Sequence, residues 1–470
     1  MHDLILRGAR LRGHDAPLDI AIDAGAVAEV GQVLGRGREE LALDGRLVVP
    51  GLWDAHVHFG QWARTRSRLD VAGARSVAEA CAAVRGARPD GLLVGFGFRW
   101  ATWSEAPTAE ALDAARPAPT VLLSGDMHTA WVNTAAALEL GCRPGLLRED
   151  EAFSAEVALD AAPLPRSAVA EAVRAASSRG VVGIVDLEFA DTVEEWSARI
   201  AAGIDGLRVE AGFYGERLEA RVASRARTGL AVDGTRGLLR HGPLKVIADG
   251  SLNTRTAHCC DPYPDGGVGM QNVDGPALGE LMMRATGAGI ACAIHAIGDA
   301  ANAIALDAFE ATRARGSIEH AQLLADADVA RFARLGIMAS VQPEHALDDR
   351  DVADELWAGR TRRAFPLRAL LDSGARVVLG SDAPVAPLDP WIAIAAAVRR
   401  TRGDRPAWHG EQALTVDEAI SASTRSTIAP GQRADLAVLD ADPWTAEGDA
   451  LRTLPVAMTL VGGRATHADL

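Results

Sequence analysis

The chain has 470 residues, 48% hydrophobic and 24% charged, which excludes a disordered polymer and suffices for a large buried core. Acidic residues outnumber basic ones by 63 to 48, and the resulting net charge of −15 repels phosphate backbones, so no nucleic-acid partner is expected. No stretch approaches the roughly 18 apolar residues of a membrane span, and the start MHDLILRGARLRGHD lacks the apolar run of a signal peptide. The expectation is a soluble cytoplasmic protein without membrane contact. The five cysteines show no CxxC or similar spacing, which suggests neither a disulfide framework nor a thiolate zinc site.

The first fifty residues alternate apolar and polar in short bursts (LILRGARL, LDIAID, RLVVP), the pattern of small antiparallel strands. ADLAVLD and PVAMTLVGGRATH repeat it near the other end. Neither piece could bury a sheet face alone, so residues 1–49 and 425–470 are expected to form one β-sandwich. Between them recur short apolar strand candidates, most followed by an Ala-rich helical stretch. They are LVVPGLWDAHVH, VVGIVDLEF, GLRVEAGF, PLKVIADG, GIACAIHA, GSIEHAQ, GIMASVQPEH and ARVVLGSDAP. Eight such units predict an α/β fold, a closed parallel (β/α)₈ TIM barrel over 50–59 and 176–424. The long interval 60–175 holds elements of its own, GLLVGFGF, PTVLLSG and a helix-like TAWVNTAAALELG, and reads as a subdomain inserted after barrel strand 1, over the barrel mouth.

His56 and His58 end the first barrel strand, and side chains two apart on a strand share a face, so both imidazoles can reach one metal ion. His295 in AIHAIGDAA, His320 in SIEHAQ and Asp382 in VVLGSDAP end three further strands. A single such histidine reads equally as a hydrogen-bonded core residue. A set converging from four strands points to metal, because each buried imidazole would otherwise need its own partner. Lys245 lies within the fourth strand. A buried lysine is costly unless it is paired, here with Asp249 or Glu210, or chemically altered. A carbamylated lysine is an anion whose two oxygens can bridge two metal ions.

The order PGLWDAHVH, strand-four lysine, IHAIGD, IEHAQ, GSDAPV resembles the amidohydrolase superfamily, specifically amidohydrolase family 3, with its N-substituted formamide deformylases and exoenzyme-regulatory proteins. The likeness extends to KVIADGSLNTRTA, SGDMHTAWVNTAAALELG, SVQPEHALDD and GQRADLAVLD. It implies divalent metal, two zinc ions, with His56 and His58 on the more buried ion, His295 and His320 on the other, and carbamylated Lys245 as the bridge. Asp382 would ligate the buried ion and handle the proton of the attacking water. The implied reaction is hydrolysis of a non-peptide carbon–nitrogen bond (amide, formamide or cyclic amide) in a small-molecule substrate by metal-activated hydroxide. Two other functions stand beside it, a mononuclear deaminase of a heterocycle, for which a bridging lysine has no purpose, and a non-catalytic ligand-binding regulator. The resemblance places Asp126, His128, Trp131 and Asn133 over the mouth as substrate contacts, whereas the local pattern reads as a helix start capped by Thr129 with Trp131 packed inward. Arg255 reads as a ligand for a substrate carboxylate or as a brace of its loop. His345 and Asp349 line the pocket or support it from behind. The chain departs from the family between Thr415 and Ala434, where VDEAISAST passes almost directly into Ile428-Ala-Pro-Gly. The oligomeric state is left open, a homo-oligomer included.

Overall fold

The computed structural model describes residues 1–89, 91–160 and 162–470. Eight parallel strands form the barrel: β1 (Leu52–Val57), β2 (Val181–Asp186), β3 (Arg208–Tyr214), β4 (Leu239–Ile247), β5 (Cys292–Ala296), β6 (Gly316–His320), β7 (Met338–Val341) and β8 (Arg376–Leu379). They are ordered sequentially in one sheet, each of the eight matching one predicted unit. The ends of that sheet meet at the mouth, where Asp382 N donates to His56 O at 2.8 Å and His58 N to Ala383 O at 2.8 Å. Buried Asp54 ties the same seam, accepting from Ser381 N at 2.9 Å and His56 N at 3.1 Å. The approach is so close that a Cβ on Gly380 would lie 2.8 Å from His56 N, which explains a glycine there. Leu244, Ile294, Leu306, Phe309 and Leu379 belong to the layer buried between strands and outer helices. Those helices start on local signals. Asp274, for instance, caps Gly275–Gly287 by accepting from Ala277 N at 2.8 Å.

Both chain ends contribute to a pair of four-stranded sheets. One is ordered Ala26–Gly31, Leu18–Asp23, His2–Ala9, Gly37–Ala42; the other Arg464–Ala468, Val456–Val461, Leu436–Leu439, Leu47–Pro50. Leu6, Ile20 and Ile22 from the first pack with Val438, Met458 and Leu460 from the second, the sandwich that the two alternating termini foretold. The first predicted unit therefore divides at Gly51: LVVP belongs to the sandwich and LWDAHV to the barrel. The short segment before Ala434 is used as an edge, since Val27 N donates to Gln432 O and Gly431 N to Val27 O, both at 2.8 Å.

The insertion has a five-stranded sheet, ordered Gly145–Arg148, Thr129–Val132, Thr120–Ser124, Leu93–Phe98, Leu69–Asp70. TAWVNTAAALELG is thus not one helix. Thr129–Val132 is a strand, and the helix Thr134–Leu140 begins at Asn133, whose Oδ1 accepts from Ala136 N at 2.9 Å. The β-branched and aromatic residues of TAWV favour a strand, and the short Asn cap allows the turn into the Ala-rich run.

Candidate metal centre

The six ligands predicted from sequence stand at or near the ends of barrel strands, and all six line one cavity with about 870 Å³ of empty volume at the barrel mouth. His56, at the end of β1, is held from both sides. Its Nδ1 donates to Glu319 Oε2 at 2.8 Å, which leaves the Nε2 lone pair directed inward, 3.2 Å from Lys245 Nζ and 3.3 Å from Asp382 Oδ1. His58 Nε2 approaches the same carboxylate oxygen at 3.5 Å, as expected for two residues on one strand face. Across the mouth the rings of His295 and His320 are 4.5 Å apart, and that of His320 is 5.1 Å from His56. One potential ligand atom from each of His56, His320 and Asp382 lies within 4.8 Å of the others. This grouping joins His320 to the buried pair more closely than the implied division between two ions does.

The backbone pays attention to placement rather than comfort. His320 and Asp382 both adopt left-handed φ, 74° and 56°, a conformation that non-glycine residues rarely hold outside sites that need a side chain aimed. Burial keeps the imidazoles neutral, the form that ligates metal: His58 is pushed down to about 3, and His56 and His320 fall well below their ordinary value. His295 is lowered for the same reason, opposed by Asp249, whose Oδ1 lies 3.1 Å from its Nδ1. Burial raises the Asp382 carboxyl to about 7 and lowers the Lys245 amine. Buried His58 Nδ1, His320 Nδ1 and His345 Nε2 have no hydrogen-bond partner among the described residues, a pattern that fits a site built for a cation and costly in a core built for packing. The donor set, imidazoles with a carboxylate, suits zinc and its neighbours.

Lys245 pairs with neither candidate carboxylate. Glu210 is held by Arg425 at 2.5 Å, and Asp249 accepts from Ile297 N and Gly298 N beside His295. Lys245 is also the only lysine in the chain; every other of the 48 basic residues is arginine. That signal lies in the sequence and singles out a position where arginine would not serve.

The residues placed over the mouth divide. His128 lines the cavity with Asp126, and its Nδ1 is 2.8 Å from Glu149 Oε2, a pairing that raises His128 to about 9 against the opposing effect of burial. His345 and Asp349 also line it, His345 Nε2 being 3.9 Å from Asp382 Oδ2 and Asp349 accepting from Asn253 Nδ2 at 2.9 Å. Trp131 does not reach the cavity. It is fully buried on the inner face of the insertion sheet, against Phe98, with Nε1 donating to Thr108 O at 2.7 Å. Asn133 is spent on its helix cap and on Arg116 O and Ala118 O. Arg255 pairs with Asp265 at 3.0 Å on a separate surface cleft, the loop-bracing alternative. Sequence reasoning passed over Glu319 and Glu149, which hold His56 and His128, and considered Asp249 only as a partner for Lys245, whereas it lies beside His295. Glu319 was visible in IEHAQ, but nothing in the linear order shows which histidine it meets.

Residues 39–467 match the amidohydrolase family. Over 98% of the chain, it is 29% identical to the protein LONG AFTER FAR-RED 3 of Arabidopsis thaliana, covering 91% of that protein. It is 28% identical to an N-substituted formamide deformylase of Arthrobacter pascens, covering 98% of both chains. Among solved structures, an uncharacterized metal-dependent hydrolase from Pyrococcus horikoshii OT3 superposes with a TM-score of 0.78 at 24% identity, over 94% of this chain and 98% of that one, a likeness of fold. With the match spanning nearly all of the second terminal sheet, the insertion and every strand of the barrel, the chain belongs to the amidohydrolase family.

Proposed function

We propose that the protein hydrolyses a non-peptide carbon–nitrogen bond, in an amide, formamide or cyclic amide, with two zinc ions held by His56, His58, His295, His320 and Asp382 and bridged by carbamylated Lys245. The observation that carries this reading is the convergence of those six side chains, four of them neutral imidazoles, at the floor of one cavity. The family membership and the similarity to a formamide deformylase support it.

The ions would supply a water of lowered pKa and a Lewis acid for the substrate carbonyl. The chain's own residues account for the rest. The neutral amine of Lys245 adds carbon dioxide by forming an N–C bond and releasing one proton, which converts a buried neutral amine into a buried anion. Asp382, raised to about 7, takes a proton from water at the floor and returns it to the departing nitrogen. His128, charged and held by Glu149, donates a hydrogen bond to the carbonyl oxygen from the cavity wall.

Elemental analysis of the purified protein, followed by assays on N-substituted formamides, N-acyl amines and cyclic amides, tests the proposal. About two divalent ions per chain are expected, with turnover lost on chelation and restored by zinc. Turnover unchanged in metal-free protein, or no hydrolysis of any of the three classes, overturns it.

A further inference from the structure

The metal cavity does not end at its own walls. Gln61, Phe153, Glu156, Phe189 and Ile247 also line a second chamber, with about 2320 Å³ of empty volume, bounded by the insertion helix Asp150–Leu159 and the helices Arg166–Ser177 and Thr192–Ala201. Its charges are unequally matched. Arg64 donates to Asp160 O and Ala162 O, Arg199 pairs with Glu195 at 2.5 Å, and Arg166 is bound to Ala202 O. Arg68, whose charge reaches Glu156, pairs with Asp160 through Nη2 at 2.7 Å, and its buried Nη1 makes no hydrogen bond among the described residues, to Glu156 included. Glu188 is satisfied by backbone, accepting from Gln61 N at 2.9 Å and Phe189 N at 3.0 Å. Glu156 is the exception: it is 5% exposed, and its Oε1 has no hydrogen-bond partner among the described residues. A buried carboxyl left in that state destabilises the fold unless a ligand completes it.

We propose that this chamber receives the nitrogen substituent of the substrate, and that the substituent ends in a basic amine whose ammonium pairs with Glu156 while its methylenes lie against Phe153 and Phe189. The proposal rests on the amide-hydrolase reading and adds the substrate class, an amide bearing an aminoalkyl chain. An ammonium supplies the missing donor, and the aromatic faces favour a cation beside them. Burial pushes the empty Glu156 carboxyl up to about 8, so binding transfers its proton to solvent and the pair forms as carboxylate and ammonium.

The test uses the holoenzyme and matched probes, N-formyl-α,ω-diaminoalkanes of increasing spacer length against N-formylalkylamines in which a methyl replaces the ammonium. At the best spacer, kcat/KM for the amine should exceed that for its partner by about tenfold or more, and Glu156→Gln should bring the ratio close to one. Equal values at every spacer, or an undiminished ratio in Glu156→Gln, overturn the proposal. If the enzyme hydrolyses neither probe, the formamide part of the amide-hydrolase reading fails separately, and calorimetry still decides the chamber: a Kd about tenfold lower for the amine in wild type alone supports it, and equal Kd values overturn it. Melting temperature and metal content check that Glu156→Gln is folded; were it not, the wild-type comparison alone would decide.

Discussion

Arginine at position 245 would keep the positive charge and lose the one side-chain amine able to add carbon dioxide. The usual conservative exchange is therefore the informative one. Lys245→Arg should bind less metal than wild type and lose about 100-fold or more in kcat/KM, because a guanidinium beside His56 repels a cation that a carbamate would hold. With no other lysine present, a protein equilibrated with ¹³C-labelled carbon dioxide should show a carbamate carbon resonance that disappears in Lys245→Ala. Full metal content and activity in Lys245→Arg would remove the bridge from the mechanism. Side chains such as this one stood out in sequence as candidates because a set of histidines with a lysine, converging from several strand ends, has few structural uses. Their partners did not: Glu319 meets His56 from a strand 263 positions away, a distance that only barrel closure removes. Trp131 carried two readings, and only the resemblance put it over the mouth. Its hydrophobicity suits a pocket wall and a subdomain core equally, and the strand pairing of Thr129–Val132 with Thr120–Ser124 decides for the core.

The insertion hairpin is fastened to the loop after β4 through one charged pair. Glu149, at the end of strand Gly145–Arg148, faces His128 and also accepts from Thr254 and from Thr256 Oγ1 at 2.7 Å. The sign of its pH dependence follows from two shifts. His128 is raised from 6.5 to about 9, so its contribution is complete below about 6.5 and is lost as pH rises through 9. Glu149 is lowered from 4.5 to about 2, so its contribution is present above about 4.5 and is lost as pH falls through 2. Both are intact together between about 4.5 and 6.5. The wild-type advantage in Tm over Glu149→Gln should therefore be largest near pH 6 and shrink steadily toward about pH 9.5. A difference that stays constant across that range would show that the pair is neutral in the folded state. Strands of this kind were harder to read than those of the barrel. The barrel repeats one apolar unit eight times, whereas the insertion mixes parallel and antiparallel pairs of unequal length, and no period runs through it.

At the scale of the molecule, alternating termini were enough to foretell a sandwich made from both ends, because each half exposes an apolar face that only the other can cover. What the alternation could not show is how that sandwich grips the barrel. Buried Asp435 makes the junction. Its carboxylate accepts from Arg208 of β3 at 2.7 and 3.0 Å and from Gly462 N at 2.7 Å, and its carbonyl accepts from Gly51 N at 2.8 Å, one residue before β1. Asp435→Ala leaves the mostly buried Arg208 guanidinium and the Gly462 amide without acceptors, at a cost of about 3–5 kcal/mol. The variant should melt several degrees below wild type. Since Gly51 leads directly into the strand that carries His56 and His58, its metal should also be removed by chelator faster than from wild type. Asp435→Asn, which keeps an acceptor for one of those donors, should fall between the two. A melting temperature and chelation rate for Asp435→Ala equal to those of wild type would mean that the two domains hold together by apolar contact alone, and that the floor of the metal centre is set by the barrel without help from the sandwich.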